Sequence, residues 1–143
     1  MWAHPTRPAL QCFVSAMMAL ALVGVGITSM SFAAITSTTI NPLAIVTDNG
    51  RRLIVSGPMV CTESETVELR VQVTQRVTGA VAEGRTSLTC TGVPQHWDVD
   101  ALIQGHETFR VGSATAVAFG RTTTRGAPTD AHQWVVDITL GGE

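Results

Sequence analysis

The chain is poor in aromatic residues and lacks two common residue types altogether. Aromatic side chains make up 5% of its 143 residues, and neither tyrosine nor lysine occurs. All basic side chains are therefore arginine or histidine, and the formal net charge is −2. Binding to nucleic acid needs a basic surface that neutralises phosphate groups. We therefore predict no nucleic-acid partner.

Sequence motifs of common enzyme sites are also missing. No Gly-x-Ser-x-Gly nucleophile motif follows residue 33, and Ser113, between Gly112 and Ala114, is the nearest approach to one. A glycosidase needs a cleft with paired carboxylates, and this chain offers few aromatic side chains to stack on a sugar. We predict no catalytic residues and no cofactor, and we favour a protein that is not an enzyme.

The N-terminal segment has the three parts of a secretory signal. Arg7 lies in a short first part, residues 13–27 are apolar except for Ser15, and Ser31 and Ala33 are small residues at the end. An apolar run of about fifteen residues is shorter than the roughly 20 that cross a bilayer as a helix. We predict a cleavable signal helix over residues 1–33 and a secreted or extracytoplasmic (cell-envelope) protein. The alternative is an uncleaved anchor, which would be the chain's sole membrane contact.

Cleavage at this point leaves an even number of cysteines. Cys12 is removed with the signal, and Cys61 and Cys90 remain. In an exported chain such a pair predicts a disulfide bond, and the Cys-x-x-Cys spacing of a metal site is absent. The loop between them is long enough for a disulfide to stabilise the fold by about 3–4 kcal/mol.

The rest of the chain has the period of β-strands. Val67, Leu69, Val71 and Val73 alternate with polar residues, and similar short runs recur between turn signals such as Asn49-Gly50. We predict an all-β fold, a single β-sandwich of immunoglobulin-like size with about seven strands, over residues 43–143. Residues 34–42 form a short leader. Breaks are expected at residues 57–58 and in a loop over residues 122–130.

Phase within the strands predicts which aromatic and polar side chains face inward. Trp97 is in phase with Val99 and Ala101, so it should point into the core. Trp134 is in phase with Val136, but Val135 makes the other face apolar too and leaves the direction of Trp134 open.

His96, Asp98 and Asp100 share the opposite face of the strand that holds Trp97. Imidazole and carboxylate side chains commonly coordinate metal ions, so these three residues are a candidate site for a metal or another ligand. The competing interpretation is the ordinary polar face of a half-buried strand. His106 and His132 would add ligands only if the fold brought them to the same place.

A series of short motifs runs through residues 51–140. The motifs are Gly57-Pro58-Met59-Val60-Cys61, Gln75-Arg76, Gly84, Cys90-Thr91-Gly92, Trp97-Asp98-Val99 and Gly112-Ser113-Ala114-Thr115-Ala116. In this order they resemble a group of small secreted actinobacterial domains of unknown function. The resemblance covers most of residues 51–140 and implies a disulfide between the two matched cysteines, a β-sandwich and an extracytoplasmic location, with no activity attached.

Two functions follow as hypotheses. The first is an exported, non-catalytic binding or interaction module for another protein or a surface polymer in the cell envelope or outside the cell. The second is a metal- or carbohydrate-binding accessory domain that uses His96, Asp98 and Asp100 or an exposed Trp134.

Overall fold

A computed structural model describes residues 34–143, which form eight strands and one 3-10 turn at Asp48–Gly50. The signal helix predicted over residues 1–33 lies outside the described residues. Within the part that is described, no helix is long and apolar enough to cross a membrane. The strands are β1 (Ile35–Thr38), β2 (Leu43–Thr47), β3 (Arg52–Cys61), β4 (Thr66–Gln75), β5 (Ala80–Thr89), β6 (Gln95–Ile103), β7 (Gly112–Thr124) and β8 (Ala127–Gly142).

Strand β4 shows how the alternating sequence builds the sheet. Val67, Leu69, Val71 and Val73 are almost fully buried, as predicted, while the polar residues between them face solvent. β4 pairs antiparallel with β5 over its whole length and with β7 on its other edge. Burial of an apolar side chain of this size contributes about 1.5–3 kcal/mol, so this strand is a main support of the core.

The predicted β-sandwich is wrong, and so is its immunoglobulin-like character, because the sheet closes into a seven-stranded barrel. The strands follow the order β3, β2, β8, β7, β4, β5, β6, and β6 pairs with β3 again. β3 closes the circle because it pairs with β2 along one edge and with β6 along the other. β1 pairs with the end of β3 near Cys61, on the same edge of β3 as β2. A sandwich and a barrel share the same inward and outward alternation, so the sequence pattern did not distinguish them.

Two glycines make room for the tryptophans inside the barrel. Gly57 on β3 lies directly opposite Trp97 on β6, and a Cβ at residue 57 would be 2.7 Å from Cζ2 of that indole. Gly120 on β7 is opposite His132 on β8, and a Cβ at residue 120 would be 2.8 Å from Cη2 of the Trp134 indole. Trp97 is 2% exposed and Trp134 packs against the core. The inward direction predicted for Trp97 is confirmed, and the open question for Trp134 is settled the same way.

Several predicted boundaries differ from the structure. The break expected at residues 57–58 is wrong, since β3 continues through Gly57 and Pro58 to Cys61. The loop expected over residues 122–130 is largely a β-hairpin, because β7 and β8 pair up to Thr124 and Ala127 around a tight turn at Arg125 and Gly126. Within the leader segment, residues 35–38 form β1.

The predicted disulfide between Cys61 and Cys90 is present, with the two Cα atoms 5.5 Å apart. It joins the end of β3 to the residue that follows β5, two strands that are not neighbours in the barrel. Both cysteines are buried in the core cluster. The bond therefore ties together the two strands that flank β6, near one end of the barrel.

Candidate functional site

The His96 cluster lies on the outer face of β6, where alternation predicted it. His96 Nε2 is 3.6 Å from Asp98 Oδ1, and both side chains are exposed. Asp100 has a different partner, because Arg52 on β3 donates from Nε to Asp100 Oδ1 at 2.6 Å and from a second guanidinium nitrogen to Oδ2. The hydrogen bonds from Arg52 lower the pKa of Asp100, against a smaller opposing effect of burial. Asp100, the third residue of the candidate site, is thus paired with Arg52.

The histidines of the described part do not converge. His132 on β8 contacts Asp130, with 2.9 Å between Nε2 and Oδ2, and His106 lies in the segment after β6. Over residues 34–143, no three histidine, cysteine or acidic side chains are grouped closely enough to hold a metal ion. His96 and Asp98 remain a polar pair on a strand.

Two other candidates from the sequence have ordinary surroundings. Ser113 is an exposed residue at the start of β7, opposite Thr139 on β8. The Trp134 ring packs against the Gly120 backbone, and its buried Nε1 has no hydrogen-bond partner. Trp134 is half-buried and borders a shallow cavity together with residues 35–38.

A concave surface lies on the outside of β5, β4 and β7. We call it the Phe119 groove, after the aromatic ring in its lining, which is 44% exposed. Its volume is about 610 Å³. Its lining consists of Glu68, Leu69, Arg70, Arg85, Thr86, Ser87, Phe119 and Arg121.

The strand register explains why these side chains meet. Arg85 on β5, Arg70 on β4 and Phe119 on β7 are successive partners across the sheet, so their side chains stand in one row on the same face. The next row contains Glu68 and Arg121, which also face each other. The inward positions of β7 are Ala114, Ala116, Ala118, Gly120 and Thr122, so strand alternation places Phe119 on the outer face.

Ion pairs hold the arginines of the groove in place. Glu83 accepts from Arg70 Nη2 at 2.6 Å and from Arg85 Nη2 at 3.3 Å, and Arg121 pairs with Glu68. The hydrogen bond from Arg70 lowers the pKa of Glu83, and it outweighs burial, which acts in the opposite direction. Three guanidinium groups face two carboxylates, so the groove carries a positive charge on a protein whose net charge is negative.

An apolar strip extends the groove toward β8. Val117 on β7 is directly opposite Val135 on β8, which is 61% exposed, and Val117 and Phe119 border a second shallow cavity with Gln72 and Gln133. Sequence reasoning did not identify this surface. The signal was the phase of Phe119, which is opposite to that of Ala116 and Ala118.

Comparison with known proteins does not add to this description. No protein-family model and no curated protein matches the chain.

Proposed function

We propose that the protein is an exported, non-catalytic binding module that contacts another protein in the cell envelope or outside the cell through the Phe119 groove. The observation that supports this most directly is the exposed Phe119 ring, which stands between arginines on a rigid sheet. Aromatic residues and arginine are enriched where protein interfaces derive most of their binding energy.

The chemistry of the groove favours a partner with an apolar side chain next to an acidic one. Phe119 and Val117 offer apolar contact area, while Arg85, 71% exposed, offers donors that Glu83 leaves free. A guanidinium has five N–H donors, so an arginine already paired with one carboxylate can bind a second. The ion pairs also fix the arginine side chains before binding, which reduces the entropy lost in the complex.

Two features support export. The pattern of residues 1–33 is that of a secretory signal. The Cys61–Cys90 disulfide is typical of proteins that fold in oxidising compartments. A small barrel that is cross-linked by a disulfide bond is therefore consistent with an extracytoplasmic location.

The test uses the protein exported from a bacterium that expresses the full chain. Peptides selected from a displayed random library should contain an acidic residue beside an aromatic or aliphatic one. The change Phe119→Ser should weaken their binding about 30-fold, the loss expected for a central interface residue. The matched control is Leu102→Ser, which changes a large exposed apolar side chain on β6 and should leave the affinity unchanged.

Other results would contradict the proposal. Equal binding of the selected peptides to the Phe119→Ser variant would exclude the groove. Turnover of a hydrolase substrate that is lost when Ser113, His96 or Asp98 is changed would show an enzyme. Calorimetric titration with Zn²⁺, Ca²⁺ and a glycan panel tests the accessory-domain hypothesis, and binding that depends on His96, Asp98 and Asp100 or on Trp134 would favour it instead.

A further inference from the structure

The beginning of the described chain is fastened by one carboxylate. Asp130 Oδ2 accepts hydrogen bonds from the backbone nitrogens of Ala34 at 3.0 Å and Ile35 at 3.3 Å. The Ala34 carbonyl accepts from the backbone nitrogen of Thr62 at 2.8 Å. Ala34 is 3% exposed, and both its backbone nitrogen and its carbonyl oxygen have hydrogen-bond partners.

Asp130 acts where the sheet has no backbone ladder. β1 pairs with β3, and over residues 34–143 no ladder joins β1 to β8, although the two strands approach each other there. The Asp130 side chain on β8 crosses this gap, and His132 contacts the same carboxylate oxygen. Burial opposes ionisation of Asp130, but the hydrogen bonds from Ile35, His132 and Ala131 outweigh it and lower its pKa.

We propose that Ala34 is the first residue of the processed protein and that its α-ammonium group forms an ion pair with Asp130, which locks β1 against β8. This inference rests on the proposed export, because it requires removal of residues 1–33. It assigns a processing site, the Ala33–Ala34 bond, and a receptor for the new terminus.

The covalent step is hydrolysis by an endopeptidase of the export machinery. Water adds across the Ala33–Ala34 amide, Ala33 leaves with the new carboxylate, and Ala34 keeps the nitrogen as an amine. The amine takes up a proton near neutral pH. The neutral N–H that now lies 3.0 Å from Asp130 Oδ2 is then replaced by a cation, and a charge-assisted hydrogen bond is roughly twice as strong as a neutral one.

The absence of lysine makes the new terminus directly measurable. In the processed protein the α-amino group is the one primary amine, because the sequence contains no lysine. An amine-acylating reagent therefore modifies Ala34 alone. Acylation needs the free amine, so an ammonium held by Asp130 should react more slowly than a free terminus.

The experiment starts from the full chain, expressed in an exporting bacterium and recovered outside the cytoplasm. Intact mass should show a chain that begins at Ala34. Its acylation in the folded state should be about tenfold slower than that of the Asp130→Asn variant, the change expected for loss of one charge-assisted hydrogen bond. The control Asp137→Asn removes an exposed carboxylate from the same strand and should not change the rate.

A second measurement does not depend on the folding of the Asp130 variant. Protein acylated at Ala34 while unfolded, and then refolded, should have a folding equilibrium constant about tenfold smaller than that of the unmodified protein. Retention of the full chain inside the cell, or export without cleavage, would contradict the proposed export. Cleavage at another bond would contradict the Ala33–Ala34 site and leave export intact. A chain that begins at Ala34 but reacts as fast as the Asp130→Asn variant, or is equally stable after acylation, would contradict the ion pair.

Discussion

Gln75 at the end of β4 shows how one buried polar side chain fastens a loop. Its Nε2 donates to the Arg110 carbonyl at 2.8 Å, and its Oε1 accepts from the Arg110 backbone nitrogen at 2.9 Å and from Thr78 Oγ1 at 3.1 Å. The side chain is fully buried. It replaces backbone pairing for the segment before β7, and the loss of its amide would leave those groups without partners.

We expect Gln75→Leu to lower the free energy of unfolding by about 2–3 kcal/mol, since it removes several hydrogen bonds to buried groups. Chemical denaturation of the exported protein measures this. The same substitution at the exposed Gln72 on the same strand should change stability by less than about 0.5 kcal/mol. Equal effects at the two positions would show that the hydrogen bonds of Gln75 contribute nothing.

Single residues also show what a sequence predicts about a site. Alternation correctly placed His96 and Asp98 on one outer face of β6. It did not predict that Arg52, 48 positions away from Asp100, would hold that carboxylate, because the contact depends on the pairing of β3 with β6. The Phe119 groove was missed for the same reason, since its rows combine three strands that pair through the fold.

At the scale of strands, β3 departs most from its prediction. Gly57 and Pro58 are typical of a break in a strand, but here Gly57 is needed because a Cβ would stand 2.1 Å from the Thr39 carbonyl oxygen and collide with Trp97. Pro58 keeps the ladder because its carbonyl accepts from the backbone nitrogen of Thr39. The close approach of the Thr39 backbone and the Trp97 ring to β3 therefore requires glycine at residue 57.

The change Gly57→Ala should destabilise the protein by about 3 kcal/mol, since the oxygen it meets belongs to Thr39, whose backbone is hydrogen-bonded to Pro58 on β3. Thermal unfolding followed by circular dichroism detects the loss. Gly105→Ala is the matched control, because a Cβ there meets no atom within 4 Å. A Gly57→Ala protein as stable as the control would mean that the crossing adjusts freely.

At the scale of the whole molecule, carboxylates on three different strands share a lowered pKa. Arg70 lowers the pKa of Glu83 and Arg52 that of Asp100, while backbone and His132 hydrogen bonds, acting against burial, lower the pKa of Asp130. In the unfolded chain these groups return to ordinary values of 4.5 for Glu and 3.8 for Asp. Their contribution to stability is therefore fully present above about pH 5 and is lost as the pH falls through the lower folded pKa values.

We expect the melting temperature to fall between pH 5 and pH 3, because protonation breaks these contacts. Asp130→Asn should reduce the slope of this fall, since Asp130 would no longer titrate. Asp137→Asn, whose carboxylate accepts from Thr115 Oγ1 on the surface, serves as the comparison. Identical pH profiles for the wild type and Asp130→Asn would show that Asp130 does not contribute.

The local features of this protein could be predicted from its sequence. Two-residue alternation predicted most strands and the inward face of β4, the phase of Trp97 predicted its burial, and the cysteine count predicted the Cys61–Cys90 bond. These depend on neighbours in the chain or on the simple arithmetic of residue types.

The closure of the barrel, the Phe119 groove and the approach of Ala34 to Asp130 depend on the packing of the whole fold. Each of these features brings together residues from distant parts of the chain. The closure of the barrel, for example, requires β3 to pair with β2 on one edge and with β6 on the other. An alternating strand has the same inner and outer faces in a sandwich and in a barrel. Which edges pair depends on the packing of the complete core, and the alternating pattern contains no information about that.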